Sequence, residues 1–181
     1  MKTKSGFIVL GLALFICVAG AKAPSPVPAG PMTLDLDPTP GDQGRREIRG
    51  VKPGATVTVE IAALRGAKGA TGFTATLTFD TTQVAYEGFE AGPLIPEIRT
   101  LPLLKGGRLE IGGGQFGAGG GAAQDAGSLG ILMFRTTPRF KTRTALTLTR
   151  ARYRRRGETQ SFEAHAEVVL SAGPPQPSRS K

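Results

Sequence analysis

Four groups of residues have the types and spacing to do chemistry. His165, the sole histidine, lies between Glu163 and Glu167 in "SFEAHAEVVL". A histidine beside carboxylates suits general acid–base work. Here no cysteine accompanies it and no serine stands in a nucleophile motif, so the group has nothing to activate. Glu163 and Glu167 imitate a glycosidase carboxylate pair, but such a pair must flank a cleft, and alternation along one exposed strand supplies none. All three fall on the outward parity of a strand, as solvated residues would, and a non-catalytic protein is expected.

Asp35, Asp37 and Asp42 in "LDLDPTPGDQG" bring hard oxygen donors near a turn, which is what calcium requires. The same spacing also describes the solvated side of a strand whose other side carries Leu34 and Leu36. A calcium ion is the one cofactor this sequence suggests. The glycine run 112–127, "GGGQFGAGGGAAQDAG", lacks the Lys-Ser/Thr of a phosphate-binding loop and precedes no helix, so it reads as a mobile loop. Phe116 in its middle is an aromatic placed where contact residues occur.

The fourth group is cationic. The chain has a formal charge of +9. Between Arg135 and Gly157 stand Arg135, Arg139, Lys141, Arg143, Arg150, Arg152, Arg154, Arg155 and Arg156 with no acid among them, while Asp35, Asp37, Asp42 and Glu47 crowd the start. Arginine holds carboxylates and sulfates through charge-assisted, often bidentate hydrogen bonds. Arg150, Arg152 and Arg154 are thus candidates for an acidic partner or an anionic polysaccharide. Specific nucleic-acid binding is not expected of an exported protein. Extended arginine stems covering a sheet would explain the same residues without any ligand. A crystalline polysaccharide is disfavoured, because the sequence has no tryptophan and only Tyr86 and Tyr153 as tyrosines, both suited to the core.

The ends of the chain set the compartment. Lys2 and Lys4 precede the apolar run "GFIVLGLALFICVAG", and Ala19 and Ala21 offer a small-residue cleavage pattern, so residues 1–21 read as a signal peptide cut after Ala21. The run is short of the roughly 20 residues that span a bilayer, so no membrane span is expected after cleavage. Cys17 is preceded by Ile16 where lipoprotein signals have a small residue, which disfavours a lipid anchor. As Cys17 is the only cysteine, neither a disulfide nor a cysteine metal site is expected, and the protein is expected outside the cytoplasm, periplasmic or extracellular. Residues 22–32, rich in Pro and Ala, read as a linker, and 172–181 as a flexible tail. About 140 residues remain, enough for one domain with its own core.

What positions these residues is a set of strands. Period-two alternation marks "TLDLD" with Leu34 and Leu36, "ATVTVEIAAL" with Val57, Val59 and Ile61, and "GFTATLTF" with Phe73, Ala75, Leu77 and Phe79. In the third, Thr74, Thr76 and Thr78 point away from the core and form a candidate docking surface. "GRLEIG", "SLGILMFR", "ALTLT" and "QSFEAHAEVVL" follow the same rule. In "ALTLTRARYRRRG" the apolar parity switches from Leu146 and Leu148 to Ala151 and Tyr153, which predicts a β-bulge near Thr149 and Arg150 and puts the three arginines on one solvent face. Asp80, followed by "TTQ", is expected to cap a tight turn before Val84, Tyr86 and Phe89 resume packing. No stretch after the leader holds a 3.6-residue apolar period, so the domain is expected to be all-β, an antiparallel sandwich of eight or nine strands.

The order of these signals resembles the cohesin domain of bacterial cell-surface and cellulosome-type proteins. The resemblance spans roughly residues 33–171 and rests on "VKPGATVTVEI", "GFTATLTFDTTQVAYEGFEAG", "AGSLGILMFRTT" and the closing "AEVVL". It implies a jelly-roll sandwich related to a class of carbohydrate-binding modules. It also implies docking of an exported protein, a dockerin or something like it, on a flat sheet face. The family's contact residues are not a fixed motif, so none transfers by position. No calcium loop of the dockerin type occurs in this chain. A stand-alone docking module is therefore the expectation, with polysaccharide binding through the arginine strand as the second reading and a plain spacer as the third.

Overall fold

The computed structural model describes residues 30–95, 97–116 and 120–173, and every regular element among them is a strand. Residues 1–21, read as a signal peptide and holding Cys17, residues 22–29 of the expected linker and residues 174–181 of the expected tail lie outside the described residues. In chain order the strands are β1 (Met32–Asp35), β2 (Glu47–Arg49), β3 (Thr56–Ala63), β4 (Gly72–Phe79), β5 (Val84–Ala91), β6 (Arg99–Lys105), β7 (Arg108–Gly114), β8 (Gly127–Thr136), β9 (Arg143–Arg155) and β10 (Glu158–Ser171). They form two sheets, one of order β1-β3-β8-β5 and one of order β2-β10-β9-β4-β7-β6. The result is an antiparallel jelly-roll sandwich, apart from the parallel pairing of β2 with β10.

The alternation read from the sequence is what glues the layers together. Phe73, Ala75 and Leu77 of β4 are buried, as are Leu109 and Ile111 of β7, Leu146, Leu148, Ala151 and Tyr153 of β9, and Val59, Ile61, Leu132 and Phe134 of the other sheet. Aromatic rings bridge the sheets edge-on, Phe79 against Phe134 with centroids 5.1 Å apart. Edge-to-face pairs of this kind add about 0.5–1.5 kcal/mol beyond their buried area.

The parity switch in β9 is a bulge, as expected. Thr76 pairs with Arg150 but Leu77 pairs with Leu148, so Thr149 is the extra residue, and its hydroxyl donates to the Thr76 carbonyl at 3.2 Å. Asp80 caps its turn: its side chain accepts the Thr82 amide at 2.8 Å and hydroxyl at 2.7 Å, and its carbonyl accepts the amides of Gln83 and Val84. Those Thr82 bonds hold the exposed Asp80 carboxyl below its ordinary value.

Among the described residues there are ten strands, because β2 and β6 leave no alternating signature. β2 is three residues long, and β6 is an edge strand whose residues are largely exposed. The start of the domain also moves: Pro31 and Met32, read as linker, are buried. The Pro31 carbonyl accepts the Tyr153 hydroxyl and the Leu64 amide. In the glycine run, Gly112 to Gly114 belong to β7 instead of a loop.

Candidate functional site

The outer face of the six-stranded sheet can be read in rows across β9, β4, β7 and β6. Pairing aligns Arg154, Gly72, Gly114 and Arg99 in the first row and Arg152, Thr74, Gly112 and Leu101 in the second. The third row is Arg150, Thr76, Glu110 and Leu103, and the fourth is Thr147, Thr78, Arg108 and Lys105. The face thus has an arginine column on one side, a column centred on Leu101 and Leu103 on the other, and between them a floor of threonine and glycine that ends in Glu110 and Arg108. Leu101 and Leu103 are 69% and 59% exposed. Large apolar side chains left this open on adjacent same-face positions mark contact surfaces more than stray residues do.

Several of the expected partner-binding residues meet here. Thr74 and Thr78 line the floor, and Arg150, Arg152 and Arg154 form one column. Thr76 faces outward as expected yet is only 2% exposed, covered by the longer side chains around it in its row, and its hydroxyl has no hydrogen-bond partner. It is a covered residue and not a contact. Phe116 lies just past the end of β7 and is 78% exposed. The Arg99 guanidinium sits 5.6 Å from its ring centroid, which extends the arginine and leucine rows with a cation–π pair. The Arg154 guanidinium leans over β7, 3.8 Å from where a side chain on Gly114 would begin.

The leucine column is what sequence reasoning missed. "RTLPLLK" has no period-two pattern, but Pro102 is a residue that strands tolerate only at an edge. The two glycines that follow, Gly106 and Gly107, both take positive φ (54° and 78°), the signature of a tight hairpin turn. Together these signals could have located β6.

The opposite outer face is covered at one end. Thr33, Asp35, Glu60 and Ala62 alternate outward from β1 and β3 but are buried, and segment 36–46 bonds to Asp35 and Glu60, while Thr56 and Thr58 farther along β3 stay exposed. Asp35 holds that segment down. Its carboxylate accepts the amides of Asp37 (2.8 Å), Gln43 (2.6 Å) and Gly44 (2.7 Å), and Arg46 lies 3.2 Å away. Burial alone would raise the Asp35 pKa, but these donors outweigh it and hold the carboxyl below its ordinary value.

The three aspartates that suggested calcium are engaged by other groups. Asp35 spends its oxygens on N–H groups, Asp42 pairs with Arg46 at 2.6 Å, and Asp37 accepts the Thr39 amide at 2.9 Å. Among the described residues no group of three or more His, Cys, Asp or Glu side chains could hold a metal ion. Nearby, Glu60 accepts the Gly41 amide at 2.8 Å through one oxygen while the other is buried without a partner. Burial pushes its carboxyl above the ordinary range.

His165 is exposed on β10 and lines a depression of about 310 Å³ with Arg46, Glu47, Arg143, Glu167 and Val169. Arg49 neutralises Glu47 at 3.0 Å, and Arg143 stands 3.9 Å from Glu167. The residues lining that depression include no serine, threonine or cysteine.

Solved structures match this architecture, and two of them set its type. One is a non-cellulosomal cohesin from the archaeon Archaeoglobus fulgidus, with a TM-score of 0.55, 17% identity, and coverage of 78% of this chain and 91% of that one. Another is the seventh ScaB type I cohesin from Pseudobacteroides cellulosolvens, with a TM-score of 0.58, 14% identity, and coverage of 83% and 97%. The fold is the cohesin fold. A third cohesin-fold neighbour is the sixth cohesin of scaffoldin B from Acetivibrio cellulolyticus, solved in complex with a mutant Cel5 dockerin. It has a TM-score of 0.58 and 15% identity, covering 77% of this chain and 96% of that one. No protein-family model matches the sequence, and no curated protein matches it. Strand order and register therefore carry a likeness to cohesins that residue identity does not.

Proposed function

We propose that this chain is an exported, non-catalytic cohesin-like module that docks another exported protein, dockerin-like in kind, on the outer face of its six-stranded sheet. The carrying observation is the uncovered face itself: Leu101 stands 69% exposed two strands from Thr74, whereas segment 36–46 lies over the Asp35 and Glu60 end of the other sheet's outer face. A flat sheet with an apolar column and charged flanks offers what protein interfaces use, an apolar patch inside a polar rim. The leader-like residues 1–21 support export. The dockerin-bound neighbour supports the kind of partner.

The arginine column favours a second reading, an acidic polysaccharide held by guanidinium groups. One experiment separates the two. The protein is used to capture partners from the secretome of the organism that makes it, and in parallel it is applied to a glycan array. Docking predicts a specific protein whose capture is lost in Arg152→Glu. Strong acidic-glycan hits with no specific protein would transfer the function to the second reading.

A further inference from the structure

The two ends of the sandwich differ in charge. At one of them β2, β4, β8 and β10 finish, β3, β5 and β9 begin, and the β6–β7 hairpin turns. The connections 50–55, 80–83, 106–107 and 137–142 close this end, and they brace one another. The Thr136 hydroxyl donates to the Lys52 carbonyl at 2.7 Å, the Thr137 amide to the Gln83 carbonyl at 2.9 Å, and the Phe79 amide to the Gly107 carbonyl at 2.9 Å. Side chains on these four connections therefore belong to one held surface.

That surface carries positive charge without compensation. Lys52, Lys105, Arg139 and Lys141 are exposed, and among the described residues none of their side chains has a hydrogen-bond or ion-pair partner. The carboxylates nearby are taken. Arg49 lies 3.0 Å from Glu47, Arg143 3.9 Å from Glu167 and Arg108 4.0 Å from Glu110, and Arg135 pairs with Glu87. Asp80 spends its carboxylate on Thr82. Gly173 packs against Gly50 at the same end, and the sequence after it adds Arg179 and Lys181 with no acidic side chain. At the other end cations and acids are mixed: the Lys68 amide donates to Asp125 at 3.4 Å, and Glu97 and Glu158 share that end with Arg65 and Arg156.

Apolar residues stand beside the free cations. Pro53 follows Lys52, Pro138 precedes Arg139 and Leu104 precedes Lys105; all three are exposed, Leu104 by 53%. Anionic headgroups attract lysine and arginine from outside the bilayer, and the interface accepts apolar tips between the headgroups. A soluble polyanion would use the cations and have no place for the apolar tips.

We infer that this end of the sandwich rests on an anionic membrane surface, with Lys52, Lys105, Arg139 and Lys141 against lipid phosphates and Leu104 among the headgroups. Both sheets then stand upright on the membrane, and the outer face of the six-stranded sheet stays open. Lys52, Arg139 and Lys141 are not part of that face, so membrane attachment and docking can fail separately.

The test is sedimentation of the protein, as its producing cells release it, with vesicles of phosphatidylglycerol and, separately, of phosphatidylcholine. Inorganic polyphosphate serves as the soluble probe. A cation near an anionic surface changes partition about five-fold, so Lys52→Gln, Arg139→Gln and Lys141→Gln together lower binding to phosphatidylglycerol about a hundred-fold. Removing the same charge at the other end, by Arg65→Gln, Lys68→Gln and Arg156→Gln, changes it by less than about three-fold, because those residues lie beyond a Debye length from the membrane. Leu104→Ser weakens vesicle binding about three-fold and leaves polyphosphate unaffected. Urea midpoints of the free variants report that they remain folded.

Equal losses from the two triple variants overturn the assignment to this end. Binding to phosphatidylcholine as tight as to phosphatidylglycerol overturns the headgroup contact. Polyphosphate binding through Lys52, Arg139 and Lys141 with no binding to phosphatidylglycerol vesicles makes the end a site for a soluble polyanion, and the membrane falls.

Discussion

Replacing Asp35 by Asn tests whether this carboxylate is a structural clamp. It is fully buried and accepts three amides and one guanidinium. An Asn side chain offers one accepting oxygen. Turned toward Gln43, Gly44 and Arg46 it keeps those three contacts without their charge, and its NH2 then confronts the Asp37 amide. Hydrogen bonds to charged groups contribute about 1.5–3 kcal/mol against about 0.5–1.5 for neutral ones, and an orphaned buried donor costs about 1–3. Relief from burying a charge offsets part of this, leaving a net loss of about 2–4 kcal/mol. For a domain of about 140 residues that is a fall in Tm of roughly 10 °C.

The pH dependence has a definite sign. Because the folded carboxyl sits below its ordinary value of 3.8, its contribution is present above that value and lost as pH falls through the lower folded one. Thermal and urea unfolding of wild type and Asp35→Asn, each with calcium and with chelator, reads both effects. A loss under about 0.5 kcal/mol, or a calcium-dependent rise in wild-type Tm that the variant abolishes, refutes the clamp and restores the metal.

Glu60 carries the opposite sign. Its folded carboxyl is raised by burial, so its contribution is present below the ordinary 4.5 and lost as pH rises through the folded value. Glu60→Gln should flatten the decline in urea midpoint as pH rises above the ordinary carboxyl value, and an unchanged slope contradicts this. At Gly113 an added methyl would sit 2.3 Å from the Arg99 carbonyl, so Gly113→Ala should push β6 off β7. Faster amide exchange in Thr100 to Lys105 with the rest of the sheet protected is the expected readout, and uniform protection would contradict it. Tyr153→Phe removes the hydroxyl bond to the Pro31 carbonyl that ties the domain's first residues to β9. A loss of about 1 kcal/mol is expected, measured by urea unfolding; no loss means the N-terminal edge is held by packing alone.

The sequence exposed those features whose cause is local. Alternation located β3, β4 and β8 to β10 because each buries one side against the other sheet, and the parity break at Thr149 showed the bulge because a one-residue slip exchanges the two faces. The Asp80 turn was legible for the same reason, since its partners lie within four residues. What stayed hidden depends on distant chain. Asp35 and Glu60 have outward parity, and only the return of segment 36–46 buries them. Thr76 was read as exposed because nothing in "TATLTF" tells that its row-mates are Arg150 and Glu110. The leucine column escaped because β6 packs neither side deeply, so its residues carry no burial period at all. The arginine column was visible, but its alignment with the leucines is a property of the β9-β4-β7-β6 order.

The central claim is that the outer face of the six-stranded sheet receives a protein. A photoreactive phenylalanine analogue in place of Leu101, and separately in place of the exposed Thr58 on the other sheet, tests it directly. After irradiation in the producing organism's secretome, cross-links are read by mass spectrometry. The account predicts one exported protein joined through position 101 and none through position 58. Cross-links from 58 alone, or from neither position, would contradict it.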